Sequence, residues 1–497
     1  MQAKKHFFDP YTQKTYVAGQ RYVPVSDESA KWLLDQGAIE YDLAEKATRE
    51  FVPRQLVPSA LLRLPSVMTT TPTIQLGANG GASQITNSVL KASISGDVVS
   101  NLFRYHGDMI KAGTTYPDPN FVKNIAKTIN NQQWDITIDF DHYGSEFEIL
   151  EKGLNNKCRI LIDEGYGYEL AHSGTLSGGP ADGGLYLRWV DFGVAKLRRI
   201  RIEYYLGYFG GIRIGPNDTL FPPSRPAGKR AIFMGDSFTE GGSSGFPQGL
   251  SYGAITSVLL GWEFWNSGVG ATGYINPGPA GRVKFQDRVQ HDVIGYNPDV
   301  VVIAGGINDE SYTYADVLSA SDLLFKTVRE GLPNTEIYVV GPWSPGTATA
   351  ARKSVRDALQ VSALKYGLPF IDPIAGITYC QGNAINNAFG EWVTGSGNAG
   401  ISLTPWAAST AYSLNQTVTN VGNVYKCTTA GTSATSGGPT GTGTGIVDGT
   451  AIWAYDRPAT GNSFLFTSSD GTHPTPDGHS YLGERLATEI LKIYRRL

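Results

Sequence analysis

The sequence predicts an α/β protein: a three-layer α/β/α domain, preceded by a β-sandwich and interrupted by a small all-β insertion. Three observations carry this. Between residues 228 and 395 short apolar runs alternate with helical patterns, as in a parallel sheet covered on both faces. Between about 92 and 222 apolar and polar residues alternate singly, as on half-buried antiparallel strands. Residues 396–460 then break the first pattern with Thr-, Gly- and aromatic-rich runs, before a final amphipathic helix resumes it.

At 497 residues and 53.6 kDa the chain exceeds one ordinary domain, and three or four units are expected. Residues 1–50 hold strand-like pieces around Thr15-Tyr16-Val17 and Arg21-Tyr22-Val23, then an amphipathic helix from about Asp27 to Gln36 stopped by Gly37. With the polar Thr- and Gly-rich stretch 64–90, residues 1–90 read as an N-terminal attachment module and linker, or as a generic small α+β cap. The sandwich, 91–225 and jelly-roll-like, rests on Trp134–Phe140, Arg159–Ile162, Leu185–Val190 and Arg198–Tyr204, with Pro222-Pro223-Ser224-Arg225-Pro226 as the hinge behind it. In the α/β domain, 226–395 with 461–497, strands are expected near 231–234, 262–266, 299–304, 336–341 and 369–372. Helices are expected near 250–260, 316–330 and 350–366, and a last one over about 476–496 has Leu482, Leu486, Ile490 and Ile493 on one face.

A net charge of −4 and a pI near 6.0 give no nucleic-acid footprint. With 17% charged residues, 60 Gly and 26 Tyr, the balance suits a loop-rich protein that meets neutral sugars. Cys158, Cys380 and Cys427 form no disulfide framework and lack metal-ligand spacing. No stretch approaches the length of a membrane span, and Met1–Pro10 has basic residues without the apolar region of a secretory signal. The expected partners therefore include neither nucleic acid nor membrane.

Four turns carry the chemistry. Gly235-Asp236-Ser237-Phe238-Thr239-Glu240-Gly241 follows the run Ala231–Met234; Asn266-Ser267-Gly268-Val269-Gly270-Ala271-Thr272-Gly273 follows Phe264-Trp265; Gly305-Gly306-Ile307-Asn308-Asp309 follows Val300–Ala304; and Asp470-Gly471-Thr472-His473 precedes the last helix. The carboxyl ends of parallel strands form one rim where ligands bind. A serine becomes nucleophilic when a base takes its proton and a carboxylate orients that base, roles open to Ser237, His473 and Asp470. The oxyanion of a tetrahedral intermediate needs pre-aimed donors: the N–H of Ser237, an N–H from Gly270 or Ala271, and the side chain of Asn308. Taken singly each turn reads as an ordinary glycine-rich loop or helix start; the ordered set of four does not.

These four blocks, GDSFTEG, NSGVGATGY, GGIND and DGTHPT, resemble those of the SGNH/GDSL hydrolase family of esterases and acetylesterases. The resemblance implies a flavodoxin-like three-layer hydrolase domain, Ser237 as nucleophile, Asn308 as oxyanion donor, His473 as base and Asp470 as its orienter, with no metal or organic cofactor. The family's second-block glycine aligns best with Ala271, one residue after Gly270. Sandwiches of the kind expected here precede the catalytic domain in some carbohydrate esterases of this group.

Within residues 396–460, Trp406–Tyr412, Val424–Cys427 and Asp448–Trp453 resemble the small three-stranded carbohydrate-binding modules of chitinases and phage tail proteins. Trp406, Tyr412, Tyr425 and Trp453 are candidate sugar-stacking platforms, or else the module's own core. The N-terminal piece is similar to those of phage virion proteins. The expectation is a homotrimeric phage tail protein, made in the host cytoplasm, attached to other virion proteins by its N-terminus and removing O-acetyl groups from bacterial capsule or O-antigen at the host surface. A lipase or thioesterase of the same family, and a non-catalytic glycan-binding tail adhesin, are the alternatives.

Overall fold

The computed structural model describes residues 71–495 except 113–119, 125–134, 166, 173, 242–246, 280, 396–403 and 460, together with four short strands before residue 41. Those strands pair Gln2–Ala3 with Ile39–Glu40 and Phe7–Asp9 with Lys14–Tyr16. The helix expected over 27–36 and the strand around Arg21–Val23 lie outside the described residues.

The sandwich is built from β1 (Thr73–Leu76), β2 (Val89–Ala92), β3 (Ile136–Lys152), β4 (Lys157–Asp163), β5 (Leu185–Tyr205) and β6 (Phe209–Ile214), with shorter strands joined to them. β1 pairs with β5 and β2 with β6, so both belong to this domain, although the sequence places β1 and the first half of β2 in a linker ending at residue 90. Their Gly-, Thr- and Asn-rich surroundings mask two short edge strands. At 17 and 21 residues, β3 and β5 far exceed the usual strand of about 5–6 residues. Their register shifts between Gly144 and Glu146, the kind of bulge that bends a strand. Alternation does the rest: Ile136, Ile138, Phe140, Ile160, Ile162, Ile200 and Ile202 fill one apolar core.

The opposite face of the same strands is charged yet also buried. Arg159 pairs with Glu203, and Arg201 with Asp139, which also bonds His106. The hinge and the next domain cover this face. Ser224 N–H donates to Asp141, Arg199 Nε donates to Ser224 Oγ, and Thr137 Oγ1 donates to Gln248 Oε1 at 3.3 Å. The Glu203 carboxylate lies against the Cα of Gly249. The sandwich is therefore docked through a polar, ion-paired seam.

The second domain has β7 (Lys229–Gly235), α1 (Ser237–Glu240), α2 (Tyr252–Leu260), β8 (Trp262–Gly268), α3 (Phe285–Asp292), β9 (Val300–Ala304), α4 (Tyr314–Gly331), β10 (Glu336–Val340), α5 (Ala350–Lys365), β11 (Phe370–Asp372), β12 (Ile377–Cys380) and β13 (Asn383–Ala384). The sheet order is β8-β7-β9-β10-β11-β12-β13, parallel as far as β11 and antiparallel beyond. Its parallel part has the flavodoxin-like order 2-1-3-4-5. Phe233, Val302 and Val340 pack on one face with α2 and α7 (Pro476–Tyr494), while Ile232, Val301 and Val339 pack on the other with α3, α4 and α5. This is a three-layer α/β/α domain. Chain order reverses around β7, so the turns after β7, β8 and β9 share one rim.

Between the two parts of this domain, β14 (Thr417–Asn420), β15 (Asn423–Thr429), β16 (Ile446–Asp448) and β17 (Ala451–Pro458) form a separate four-stranded sheet with its own core. Its ends are stapled together: Thr394 N–H donates to Asn462 Oδ1 at 2.8 Å, and Asn462 N–H returns to Thr394 O at 3.1 Å. α6 (Ser463–Phe466) follows, leading into the turn before α7.

Removing one partner of a buried ion pair leaves an uncompensated charge, at a cost of about 3–5 kcal/mol. Glu203→Ala should therefore lower the stability of the sandwich by about 3 kcal/mol or more, read as a shift of its urea unfolding midpoint; an unchanged midpoint would show that this pair contributes nothing.

Candidate active site

The rim is assembled from local hydrogen bonds that each turn's own residues provide. After β7, Asp236 caps α1, its Oδ1 accepting the Phe238 N–H at 3.0 Å. Gly241 closes this single turn with φ +79° and an N–H to Ser237 O. Ser237 is thus the first residue of a short helix above the strand, half-buried. Behind it the Thr239 and Tyr252 hydroxyls are 2.7 Å apart, fastening α1 to α2. α1 lies directly on the end of β8: a Cβ on Gly268 would come within 2.2 Å of Glu240 N. No larger residue fits there.

After β8 the chain turns through Gly270 and Ala271. Gly270 N–H donates to Glu240 Oε2 at 3.0 Å, which removes it from the set of oxyanion donors. Ala271 has φ +59°, a left-handed conformation unusual for a residue with a side chain, and its N–H has no partner among the described residues. Of the two donors left open by the sequence, the structure leaves Ala271. The next residues are clamped from below by Asp309, whose buried carboxylate accepts the N–H groups of Tyr274, Ile275 and Asn276 at 2.9, 3.0 and 3.0 Å. Burial pushes the Asp309 carboxyl above its usual range, while those three N–H groups pull the other way.

Asn308 sits one residue before that clamp. Its side-chain amide donates one N–H to Thr272 O at 2.9 Å, and its main-chain carbonyl accepts from Asn276 Nδ2 at 3.0 Å. The orientation of the amide is therefore set, with a second N–H still to give. Beneath the rim, Arg288 on α3 is wholly buried, bonding Ser267 O, Gly235 O and Asp292. Its guanidinium ties the carboxyl ends of β7 and β8 together.

The fourth turn is closed by Ser468 N–H to His473 O at 2.7 Å and is hung from the loop after β10 by Thr467 Oγ1 to Pro345 O at 2.6 Å. His473 Nδ1 lies 2.6 Å from Asp470 Oδ2, while Asp470 Oδ1 accepts from Ser468 Oγ and from the N–H groups of Thr472 and His473. Partial burial opposes ionisation of Asp470, but these hydrogen bonds together hold its carboxyl well below the usual carboxylate range. It is an anion throughout the neutral range, and it fixes Nδ1 as the protonated nitrogen. The His473 ring lies against Phe238, centroids 6.0 Å apart, beside the residue that follows Ser237. In this resting arrangement Ser237 Oγ has no hydrogen bond among the described residues; such contacts often tighten only with substrate. His479 plays a structural part instead. Its Nδ1 accepts the Tyr252 N–H at 3.2 Å, and burial drops its pKa to about 3.

The structure therefore brings Ser237, Ala271 and Asn308 into one hydrogen-bonded rim, with His473 and Asp470 beside it, and withdraws Gly270 as a donor. It also corrects the aromatic platforms. Tyr425 and Trp453 are fully buried and Tyr412 nearly so, forming the core of the insertion with Val418 and Cys427. Trp406 packs on that core half-buried, its indole N–H on Asp448 Oδ2 at 2.7 Å. A module this small needs its large aromatics for its own interior. Glu240, Arg282, Asp309 and Arg288 escaped sequence reasoning, because their partners are backbone atoms of turns distant in the chain.

Asp236 supplies a pH test. Burial pushes its carboxyl up to about 7, with the nearby Asp309 charge adding to the shift against the Phe238 N–H. A carboxyl raised on folding stabilises most when protonated, so its contribution is full below the ordinary carboxylate range and is lost as pH rises through about 7. Asp236→Asn keeps the Oδ1 acceptor and cannot titrate. Its melting temperature should fall less than that of the wild type between pH 5 and pH 8, and parallel curves would contradict the assignment.

Residues 233–408 match the GDSL-like Lipase/Acylhydrolase family, a match that begins in β7 and ends before the His473 turn. No curated protein matches the chain. Among solved structures, a family two carbohydrate esterase from Clostridium thermocellum in complex with cellohexaose is 18% identical, covering 55% of this chain and 88% of its own, with a TM-score of 0.38. A family two carbohydrate esterase from Cellvibrio japonicus is 13% identical over 58% and 90%, TM-score 0.36. A carbohydrate esterase family 2 enzyme plus carbohydrate binding domain from Corynascus thermopiles (Myceliophthora fergusii) is 18% identical over 58% and 93%, TM-score 0.39. The three-layer domain that carries Ser237 is a GDSL-like lipase/acylhydrolase domain.

Proposed function

We propose that this protein is a serine esterase that removes O-acetyl groups from a bacterial surface polysaccharide. The observation that carries the reading is the ordered pair His473–Asp470 at 2.6 Å beside a rim that holds Ser237, the Ala271 N–H and the Asn308 amide. His473 Nε2 takes the Ser237 proton as Oγ attacks the acetyl carbonyl, while Asp470 accepts from Nδ1–H and stabilises the imidazolium. The oxyanion is received by the N–H groups of Ser237 and Ala271 and by Asn308 Nδ2. His473 then returns the proton to the departing sugar oxygen, leaving an acetyl ester on Ser237. Water, deprotonated by the same imidazole, hydrolyses that ester to acetate.

The polymer reading rests on where the insertion is rooted. Its neck at Thr394 and Asn462 is followed by α6 and the Thr467 to Pro345 bond, which begin the His473 turn, and Thr347 N–H donates to Gly395 O at 2.9 Å. A module held there can present a long chain to the rim. The setting we propose is a phage tail, supported by the resemblance of residues 1–50 to virion pieces and of the insertion to tail-protein modules.

Ser237→Ala should reduce acetate release from acetylated capsule or O-antigen on the order of 10³-fold or more without loss of fold; activity within tenfold of wild type would refute the nucleophile. Replacing 396–460 with a short Gly/Ser linker should preserve hydrolysis of p-nitrophenyl acetate and abolish activity on the polymer. Equal losses on both substrates would mean that the insertion shapes the site itself.

A further inference from the structure

We propose that Arg282 is a positioning residue of the oxyanion hole, acting through the peptide that joins Gly270 to Ala271; this rests on the esterase reading above. A trans peptide is planar, with its carbonyl and its N–H pointing to opposite sides. The carbonyl of this unit belongs to Gly270 and its N–H to Ala271. Arg282 Nη1 donates to Gly270 O at 2.5 Å. Fixing the carbonyl from one side aims the Ala271 N–H to the other.

The preceding peptide is held as well, by the Gly270 N–H on Glu240 Oε2 at 3.0 Å. A Cβ built on Gly270 would lie 2.6 Å from Glu240 Oε2, 3.2 Å from Arg282 Nη1 and 3.6 Å from the Ser237 Cβ. Carboxylate, guanidinium and nucleophile thus surround one Cα. These two planes flank Gly270 and fix its conformation; Ala271, at φ +59°, lies between the second of them and the next peptide, whose Thr272 N–H donates to Val269 O at 3.3 Å, and an L residue stays there only if its neighbours hold it. A cation on the carbonyl end also polarises the unit, and hydrogen bonds in series strengthen one another. Arg282 therefore both orients the donor and improves it without touching substrate.

Because the Arg282 side chain is exposed, solvent competes for the same carbonyl, and the effect is smaller than losing a donor outright. The test is steady-state hydrolysis of p-nitrophenyl acetate by the full chain and by its Ser237→Ala, Arg282→Ala and Arg282→Lys variants, with a melting temperature for each. Arg282→Ala should lower kcat about tenfold, against about 10²–10³ for deleting an oxyanion donor. KM should stay unchanged, as should the melting temperature. Arg282→Lys, which still presents a cationic donor, should recover most of kcat. A kcat for Arg282→Ala within twofold of a Ser237-dependent wild type overturns this inference alone, as does an equal loss in both Arg282 variants accompanied by a lower melting temperature. A wild type with no Ser237-dependent turnover overturns the esterase reading and this inference together.

Discussion

The rim depends on the buried carboxylate of Asp309. Three consecutive N–H groups, those of Tyr274, Ile275 and Asn276, converge on it, so the turn after β8 cannot move without the turn after β9. Hydrogen bonds to a charged acceptor contribute more than neutral ones, and losing their acceptor would leave three amides in the interior without partners. Everything above the clamp inherits its rigidity. Thr272 O is placed to orient Asn308, Asn276 Nδ2 to hold its backbone, and the Gly270–Ala271 turn to face Ser237. The oxyanion hole we propose must be in place before charge develops, and this clamp is what would keep it so.

A second layer of polar burial lies below. Arg288 ties Gly235 O to Ser267 O at the ends of β7 and β8, and Asp292 balances its charge. A buried ion pair is weak evidence for stability, but here its geometry fixes where two strands end. Asp236 is the exception within this layer, a buried carboxyl with an unpaired Oδ2 next to Asp309. Neutralising it is the cheaper solution for the fold, which accounts for its upward shift.

Much of the architecture was legible because it follows from pattern. β7 and β9 read as apolar runs, since a parallel strand is buried on both faces, and α4 and α5 read from their helical period. α3 was not legible: Phe285-Gln286-Asp287-Arg288-Val289-Gln290-His291-Asp292 looks like surface, because half of its buried face is an ion pair, Arg288 with Asp292, beside Phe285 and Val289. β12 and β13 turn antiparallel, which the alternation of strand and helix cannot announce. β1 and β2 hide in a stretch rich in turn residues. In the site, the four glycine-rich turns stood out because each sits at the end of an apolar run or before a helix. What the sequence could not show is which backbone atom meets which side chain across the rim. Glu240 withdrawing Gly270, and Arg282 holding its carbonyl, are of that kind. The aromatics of the insertion were ambiguous for a physical reason: sugar platforms and small cores use the same residues, and burial decides between them.

The proposed chemistry turns on Ser237 being the nucleophile, activated by His473 within this rim. Reaction of the full chain with a fluorophosphonate, followed by peptide mass spectrometry to locate the adduct, tests this without assuming a substrate. The expected result is one adduct per chain, on Ser237, with a rate that falls sharply in His473→Ala. An adduct on another residue, or a Ser237 that does not react, would contradict it.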